Sequence, residues 1–440
     1  VTALLLERAW VDGAFHDEVL VVVVDGRFTR VDTSTAPEPA GSADRVAGLV
    51  VPGLANTHSH AFHRALRGRT QRGRGTFWTW RDQMYDVAAT LEPDTYLALA
   101  RATYREMAAA GITCVGEFHY VHHRPDGSAY ADPNAMGLAL VAAAQDAGIR
   151  LTLLDTLYLS SGFGEDPVGA QVRYSDGSAP RWAARAALLE QHAAAHVRFA
   201  SALHSVRALR DPGEDLQQLA TWKPEVLHVH LSEQVAENQA CLERYGVTPT
   251  RLLADHGLLG PGTTVVHATH LTDDDVRRVG EARAYASFCP TTERDLGDGI
   301  GPSRRLHEAG ARLTLGSDSH AVIDLFEEMR AVELHERLAT QQRGHWSAAE
   351  LLGAATVDGH ESLGWPDAGR IAVGMRADLV VLDPASVRTA GTGRDENAVV
   401  FAATAEDVQR VMADGRWIIE PGDRREVARE LDEAVRTVWQ

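Results

Sequence analysis

Residue types suited to metal-assisted hydrolysis recur in this sequence at spacings that a β-strand would exploit. His58 and His60 stand two apart in VPGLANTHSHAFHRAL, residues 51–66, and His63 follows shortly after. Residues two apart on a strand point to the same side, so His58 and His60 can act as a chelating pair. Further along come His228-Val229-His230, His267 and Gly316-Ser317-Asp318, each closing an apolar run. Imidazole nitrogens and a carboxylate oxygen suit zinc or a similar divalent ion, and a catalytic site keeps one position for water. Any single histidine near a strand end is more often a hydrogen-bonded core residue than a ligand. The signal lies in the joint pattern. His228 lies deeper in its run and reads as packing, whereas His270 reads as a hydrogen-bonding loop residue.

These side chains need a scaffold that gathers strand ends. Eight apolar runs alternate with Ala-rich helical segments: 49–54, 113–118, 150–157, 197–204, 226–231, 263–267, 284–288 and 312–316. Strand-then-helix repetition implies a parallel sheet, and eight units suit a closed (β/α)8 barrel. An open doubly wound sheet would favour a GxGxxG turn after its first strand, which is absent. The barrel is expected over 49–366. Residues 1–48 and 367–440 read as two parts of one small β domain, with strands at 371–373, 377–382, 399–402, 408–413 and 417–419. Val427, Leu431, Val435 and Val438 mark an amphipathic terminal helix. Two long segments, 61–94 and 160–180, follow strands and are candidate lids over the active-site face.

The chain has 440 residues, 45% hydrophobic, and a net charge of -18. That charge disfavours nucleic acid and anionic membranes and favours a small-molecule substrate. No run of about 18 apolar residues is present to span a membrane, and the N-terminal residues do not read as a signal peptide. A cytoplasmic homodimer is expected. Cys114, Cys241 and Cys289 are scattered and odd in number, arguing against a disulfide framework.

Together these features resemble the amidohydrolase superfamily, including GMRADLVVLD at 374–383 in the second half of the split β domain. The resemblance covers nearly the whole chain and implies a metal-dependent (β/α)8 barrel with a small β-sandwich built from both ends. Binuclear members bridge two metals with a carboxylated lysine on the fourth strand. None lies within 197–204, and Lys223, the single lysine, precedes the fifth strand. One divalent metal, expected as Zn2+, is therefore assigned to His58, His60, His230 and Asp318. His230-Leu231-Ser232-Glu233 matches the H-x-x-E of mononuclear deaminases, as does Cys289-Pro290-Thr291-Thr292 their segment after the seventh strand.

A finer resemblance is to the formimidoylglutamate deiminase family, carried by FWTWR at 77–81, GEFHY at 116–120, HSVR at 204–207 and HLSEQ at 230–234. It implies hydrolysis of N-formimino-L-glutamate to N-formyl-L-glutamate and ammonia in histidine degradation, with Arg81, Tyr120 and Arg207 contacting substrate. Guanidinium groups bind carboxylates bidentately, which suits a dianion. The implied mechanism uses the metal to lower the pKa of water to roughly 7. Glu233 serves as general acid/base, His267 orients the attacking water, and Asp318 accepts its proton as well as ligating. The chain departs from the family at His63, where glutamine is expected; histidine is shorter, titratable and able to ligate. Two other readings stand beside this one. The first is a deaminase of a ring amidine such as guanine or cytosine, which would need no arginine pair; the second is a non-catalytic binding protein, disfavoured because every metal-binding and proton-shuttling position is filled.

Overall fold

The computed structural model describes residues 1–34, 43–71, 75, 77–222 and 224–440, without the side chains of Phe77 and Trp78. Arg72 and Arg74 of the first long segment, Lys223, and the Phe77 and Trp78 rings lie outside the described residues.

The N-terminal residues form β1 (Thr2–Val11), β2 (Ala14–Val24), β3 (Arg27–Asp32) and β4 (Asp44–Pro52). Eight further strands follow: β5 (Leu54–Ser59), β6 (Ile112–His119), β7 (Arg150–Leu157), β8 (Val197–Leu203), β9 (Leu227–Leu231), β10 (Thr263–His267), β11 (Tyr285–Phe288) and β12 (Arg312–Leu315). They pair in sequence order, every pair parallel, and the sheet curls until β5 meets the segment after β12. Backbone N–H groups of Ser317 and Asp318 donate to the His58 carbonyl at 3.1 and 3.0 Å, closing the seam. Gly316 permits that approach, because a Cβ there would lie 2.7 Å from the Cβ of His58. The result is a (β/α)8 barrel with helices outside it.

β13 (Leu379–Leu382), β14 (Val408–Ala413) and β15 (Arg416–Ile419) return to the first sheet, whose order is β15-β14-β13-β4-β1-β2-β3. The small β-sandwich expected from both chain ends is thus one mixed seven-stranded sheet. It has a core of its own, with Leu6, Val21, Phe28, Val50, Leu379 and Met412 packed together.

The strand expected over 49–54 divides between the two sheets. Leu49 to Pro52 pair with β13, and only from Leu54 does the chain enter the barrel. The small sheet therefore continues past residue 48. Gly53 marks the crossing, where a Cβ would meet Thr113 Oγ1 at 2.3 Å and Asp378 Cβ at 2.7 Å. An unbroken apolar run hides this change of sheet, because both halves are buried. Residues 399–402, expected as a strand, lie largely in a helix, Glu396–Phe401, whose N-cap Asp395 accepts from the backbone of Asn397 and Ala398. Residues 371–373 form no strand.

An ion pair joins the two bodies. Arg150, which opens β7, donates through both Nη atoms to Asp378 at the edge of β13, and each side chain is 1% exposed. The terminal helix, Arg424–Val438, buries Val427, Leu431, Ala434 and Val438, packing largely against the barrel helix Pro93–Ala109.

Candidate active site

Four residues from three places in the chain meet at the C-terminal mouth of the barrel. His58 is on β5 and His60 just past it, His230 is on β9, and Asp318 follows β12; their donor atoms all lie within 4.8 Å of one another. Asp318 Oδ1 is 3.3 Å from His58 Nε2 and 3.4 Å from His60 Nε2. His60 Nδ1 bonds the Phe118 carbonyl at 2.9 Å and His230 Nδ1 bonds the His204 carbonyl at 2.8 Å. A carbonyl only accepts, so each Nδ1 carries the proton and each Nε2 offers a lone pair to the centre. Burial, reinforced by the neighbouring histidines, lowers the pKa of His60 to about 3 and holds that of His230 well below the usual value. The Nε2 atoms of His58 and His230 face each other at 3.0 Å. Neutral nitrogens converging with a carboxylate in a dry site fit a divalent cation.

Backbone geometry around the centre is costly. Ser232, His267, Ala268, Asp318 and His320 all have positive φ, between 40° and 67°, a region L-residues rarely adopt. Such conformations cost on the order of 1–3 kcal/mol each and concentrate where a side chain must be aimed.

Beside the centre, His267 Nε2 lies 3.8 Å from Asp318 Oδ2 and 4.0 Å from Glu233 Oε1. Burial opposes its charge, but the bond to Glu293 and the Glu233 and Asp318 carboxylates outweigh burial and raise its pKa to about 10. A cavity opens above these groups. His63, Arg81, Tyr120 and Arg207 all line it, with Glu233 and His267. His63 Nε2 and the Tyr120 hydroxyl bond at 3.1 Å, and the His63 ring lies 4.6 Å from that of His60. Arg81 reaches in from the helix Phe77–Thr90, its guanidinium 5.5 Å from the Tyr85 ring centre. Arg207 comes from the short helix after β8 and donates to Glu233 at 3.5 Å. Both long segments contribute to the wall, the first through Trp80, Arg81, Met84 and Tyr85 and the second through Ser160, Ser161 and Tyr174.

A sequence profile of the amidohydrolase family matches residues 49–418. The chain belongs to the amidohydrolase family. It is 37% identical to the formimidoylglutamate deiminase of Pseudomonas aeruginosa over 397 residues, 87% of each chain. The 8-oxoguanine deaminase of the same organism is 28% identical, over 91% of this chain and 90% of its own. Among solved structures, an amidohydrolase from Brucella melitensis superposes with a TM-score of 0.90 at 30% identity, covering all of both chains. The resemblance to the amidohydrolase superfamily and to formimidoylglutamate deiminases is thereby borne out, and the protein is an enzyme of the hydrolase class.

Several supports of this site have no role assigned to them by the sequence, although Glu117 lies within the GEFHY stretch. Glu117 on β6 accepts from the Ser59 hydroxyl at 2.6 Å and the Ala61 N–H at 2.7 Å, fixing the turn that presents His58 and His60. Burial pushes its pKa up to about 7. Glu293 bonds His267 Nδ1 at 3.5 Å and the Cys289 N–H at 2.9 Å. It lies one residue beyond the Cys-Pro-Thr-Thr segment and could have been read as part of it. Tyr85, Tyr158 and Tyr174 form an aromatic wall of the cavity; Tyr85 and Tyr174 lie in the two long segments expected as lids, and Tyr158 lies just beyond β7. His228, read as packing, is fully buried within β9. His270 donates through Nε2 to the Asp298 carbonyl at 2.8 Å. Among the described residues no helix is long and apolar enough to cross a membrane.

Proposed function

We propose that the protein hydrolyses N-formimino-L-glutamate to N-formyl-L-glutamate and ammonia, a step of histidine degradation. The observation that carries this reading is a guanidinium, Arg207, set in the wall of the same cavity as the histidine–aspartate centre, with Arg81 also lining it. A neutral heterocycle has no use for two such groups, whereas a dicarboxylate does. The 37% identity to a relative named formimidoylglutamate deiminase supports it.

In this reading His58, His60, His230 and Asp318 hold one divalent metal, and their nitrogen and oxygen donors favour Zn2+. When bound, that metal supplies hydroxide near neutral pH and polarises the formimino group. Arg207 takes one substrate carboxylate, while Arg81, Tyr120 and His63 receive the other. The formimino carbon is thereby directed to the water held between His267 and Glu233. Glu233 takes a proton from the attacking water and delivers it to the departing nitrogen, and the second proton of that water follows to the same nitrogen as the formyl C=O forms, so that it leaves as ammonia. Asp318 shares in accepting the first of these protons. One water enters, the C–N bond to the terminal nitrogen breaks, and ammonia leaves with the formamide retained on glutamate.

A ring-amidine deaminase is the second reading, favoured by the aromatic wall of Tyr85, Tyr158 and Tyr174. Ammonia release by the metal-loaded enzyme, measured on N-formimino-L-glutamate alongside guanine, cytosine and 8-oxoguanine, separates the two. Turnover of a base with none of the amidine would refute the first.

A further inference from the structure

Arg207 stands between two carboxylates. Its Nη2 donates to Glu233 Oε2 at 3.5 Å, and its Nε lies 3.6 Å from Glu237 Oε1. Glu237 sits in the first turn of the helix Val235–Tyr245, with its side chain 0% exposed and neither oxygen bound to a hydrogen-bond donor. A buried carboxylate without hydrogen bonds is costly unless its charge is used. Arg207 is the cation beside it, and the mechanism above leaves Glu237 without a task.

Glu237 occupies the Nε edge of the guanidinium, so a carboxylate arriving from the cavity meets the Nη edge that Glu233 uses. Glu233 then has two settings. With Oε2 bonded to Arg207 it is a partner in an ion pair; released, both oxygens are available for protons beside His267. We propose that Glu237 is a positioning residue that anchors Arg207, and that a substrate carboxylate displaces Glu233 from the guanidinium, freeing Glu233 for proton transfer. Recognition of the carboxylate is thereby coupled to turnover and not to binding alone. This rests on the deiminase reading.

The test uses N-propylformamidine, which keeps the formimino group and lacks both carboxylates, with acetate as the separate anion. Wild-type metal-loaded enzyme is expected to turn this amidine over with kcat reduced roughly tenfold or more, part of the about 10²–10⁴-fold that acid–base catalysis supplies. Acetate should raise that kcat severalfold, with saturation. Arg207→Ala should process N-propylformamidine faster than wild type and ignore acetate, because nothing holds Glu233. Glu237→Gln should raise severalfold both the acetate concentration giving half-activation and the KM for N-formimino-L-glutamate, at unchanged metal content. A merely structural Glu237 would lower the active fraction without moving the half-activating concentration.

The proposal is overturned if acetate leaves wild-type kcat on N-propylformamidine unchanged, if Arg207→Ala responds to acetate as wild type does, or if Glu237→Gln leaves half-activation in place. Should Glu237→Gln fail to fold, wild type and Arg207→Ala decide the coupling, and Glu237→Asp decides the anchor by the same shift. Failure of wild type to release ammonia from N-formimino-L-glutamate would instead remove the underlying assignment, and the proposal with it.

Discussion

Replacing Asp378 with alanine should weaken the joint between the barrel and the seven-stranded sheet without touching catalysis. Asp378 receives both Nη groups of Arg150, the Thr113 hydroxyl at 3.2 Å and the Asp414 N–H at 2.9 Å. Its removal leaves the Arg150 guanidinium, 1% exposed, with Asp414 at 3.1 Å as its remaining carboxylate and the Trp365 ring 5.5 Å away. Breaking a buried pair by deleting one partner costs about 3–5 kcal/mol. The surviving Asp414 contact places this case at the low end, about 3 kcal/mol. Domains of 150–250 residues lose roughly 2–4 °C in Tm per kcal/mol and longer chains less, so a fall of about 5 °C is expected.

The sign with pH follows from the same contacts. Burial alone would raise the Asp378 pKa, but the Arg150 charge and bonds outweigh it and hold the carboxyl below its usual range. The folded state then binds fewer protons than the unfolded chain, so the stabilisation is present above about pH 3.9 and fades as pH falls below it. The difference in Tm between wild type and Asp378→Ala, measured at pH 7 and again at pH 3, reads both effects: it should be largest at pH 7 and shrink at pH 3. Because Asp378 lies by the N-terminal ends of β6 and β7, away from the site, kcat at 25 °C should stay within about twofold. A Tm shift under about 1 °C at pH 7 would refute the reasoning.

Other outcomes follow from the site. Glu233→Gln should lower kcat by about 10²–10⁴-fold with metal content retained; loss of metal in that variant would mean that Glu233 is a ligand. Arg207→Ala should raise KM for the dicarboxylate by roughly 10–100-fold, the worth of about 1.5–3 kcal/mol for a charged hydrogen bond, with kcat little changed. His60→Ala should lose both bound metal and activity, and in wild type a chelator should abolish turnover that a divalent ion restores; activity surviving full metal removal, measured by elemental analysis, contradicts the centre.

How far the molecule was legible in its sequence depended on whether a feature is local. The barrel could be read because each β/α unit writes its own apolar run, and the His58–His60 pair because a two-residue spacing maps directly onto one strand face. Asp318 and His230 could be brought to that pair once eight strands were counted, since strand ends of a barrel share one mouth. The change of sheet at Gly53 was not legible, because Leu49 to Val51 and Leu54 to Asn56 are equally buried and differ only in distant partners. Residues 399–402 were misread because β-branched valines outweighed the Asp395 cap. Glu117, though inside the GEFHY stretch, was given no role of its own, and neither were Glu237 and Glu293, because a buried carboxylate looks, in sequence, like any surface one.

Product analysis in ¹⁸O-labelled water tests the central claim most directly. Metal-loaded enzyme acting on N-formimino-L-glutamate should yield one ammonia per N-formyl-L-glutamate, with the label in the formyl oxygen. Glutamate with formamide as products, or no turnover by enzyme that holds its metal, would contradict the assignment.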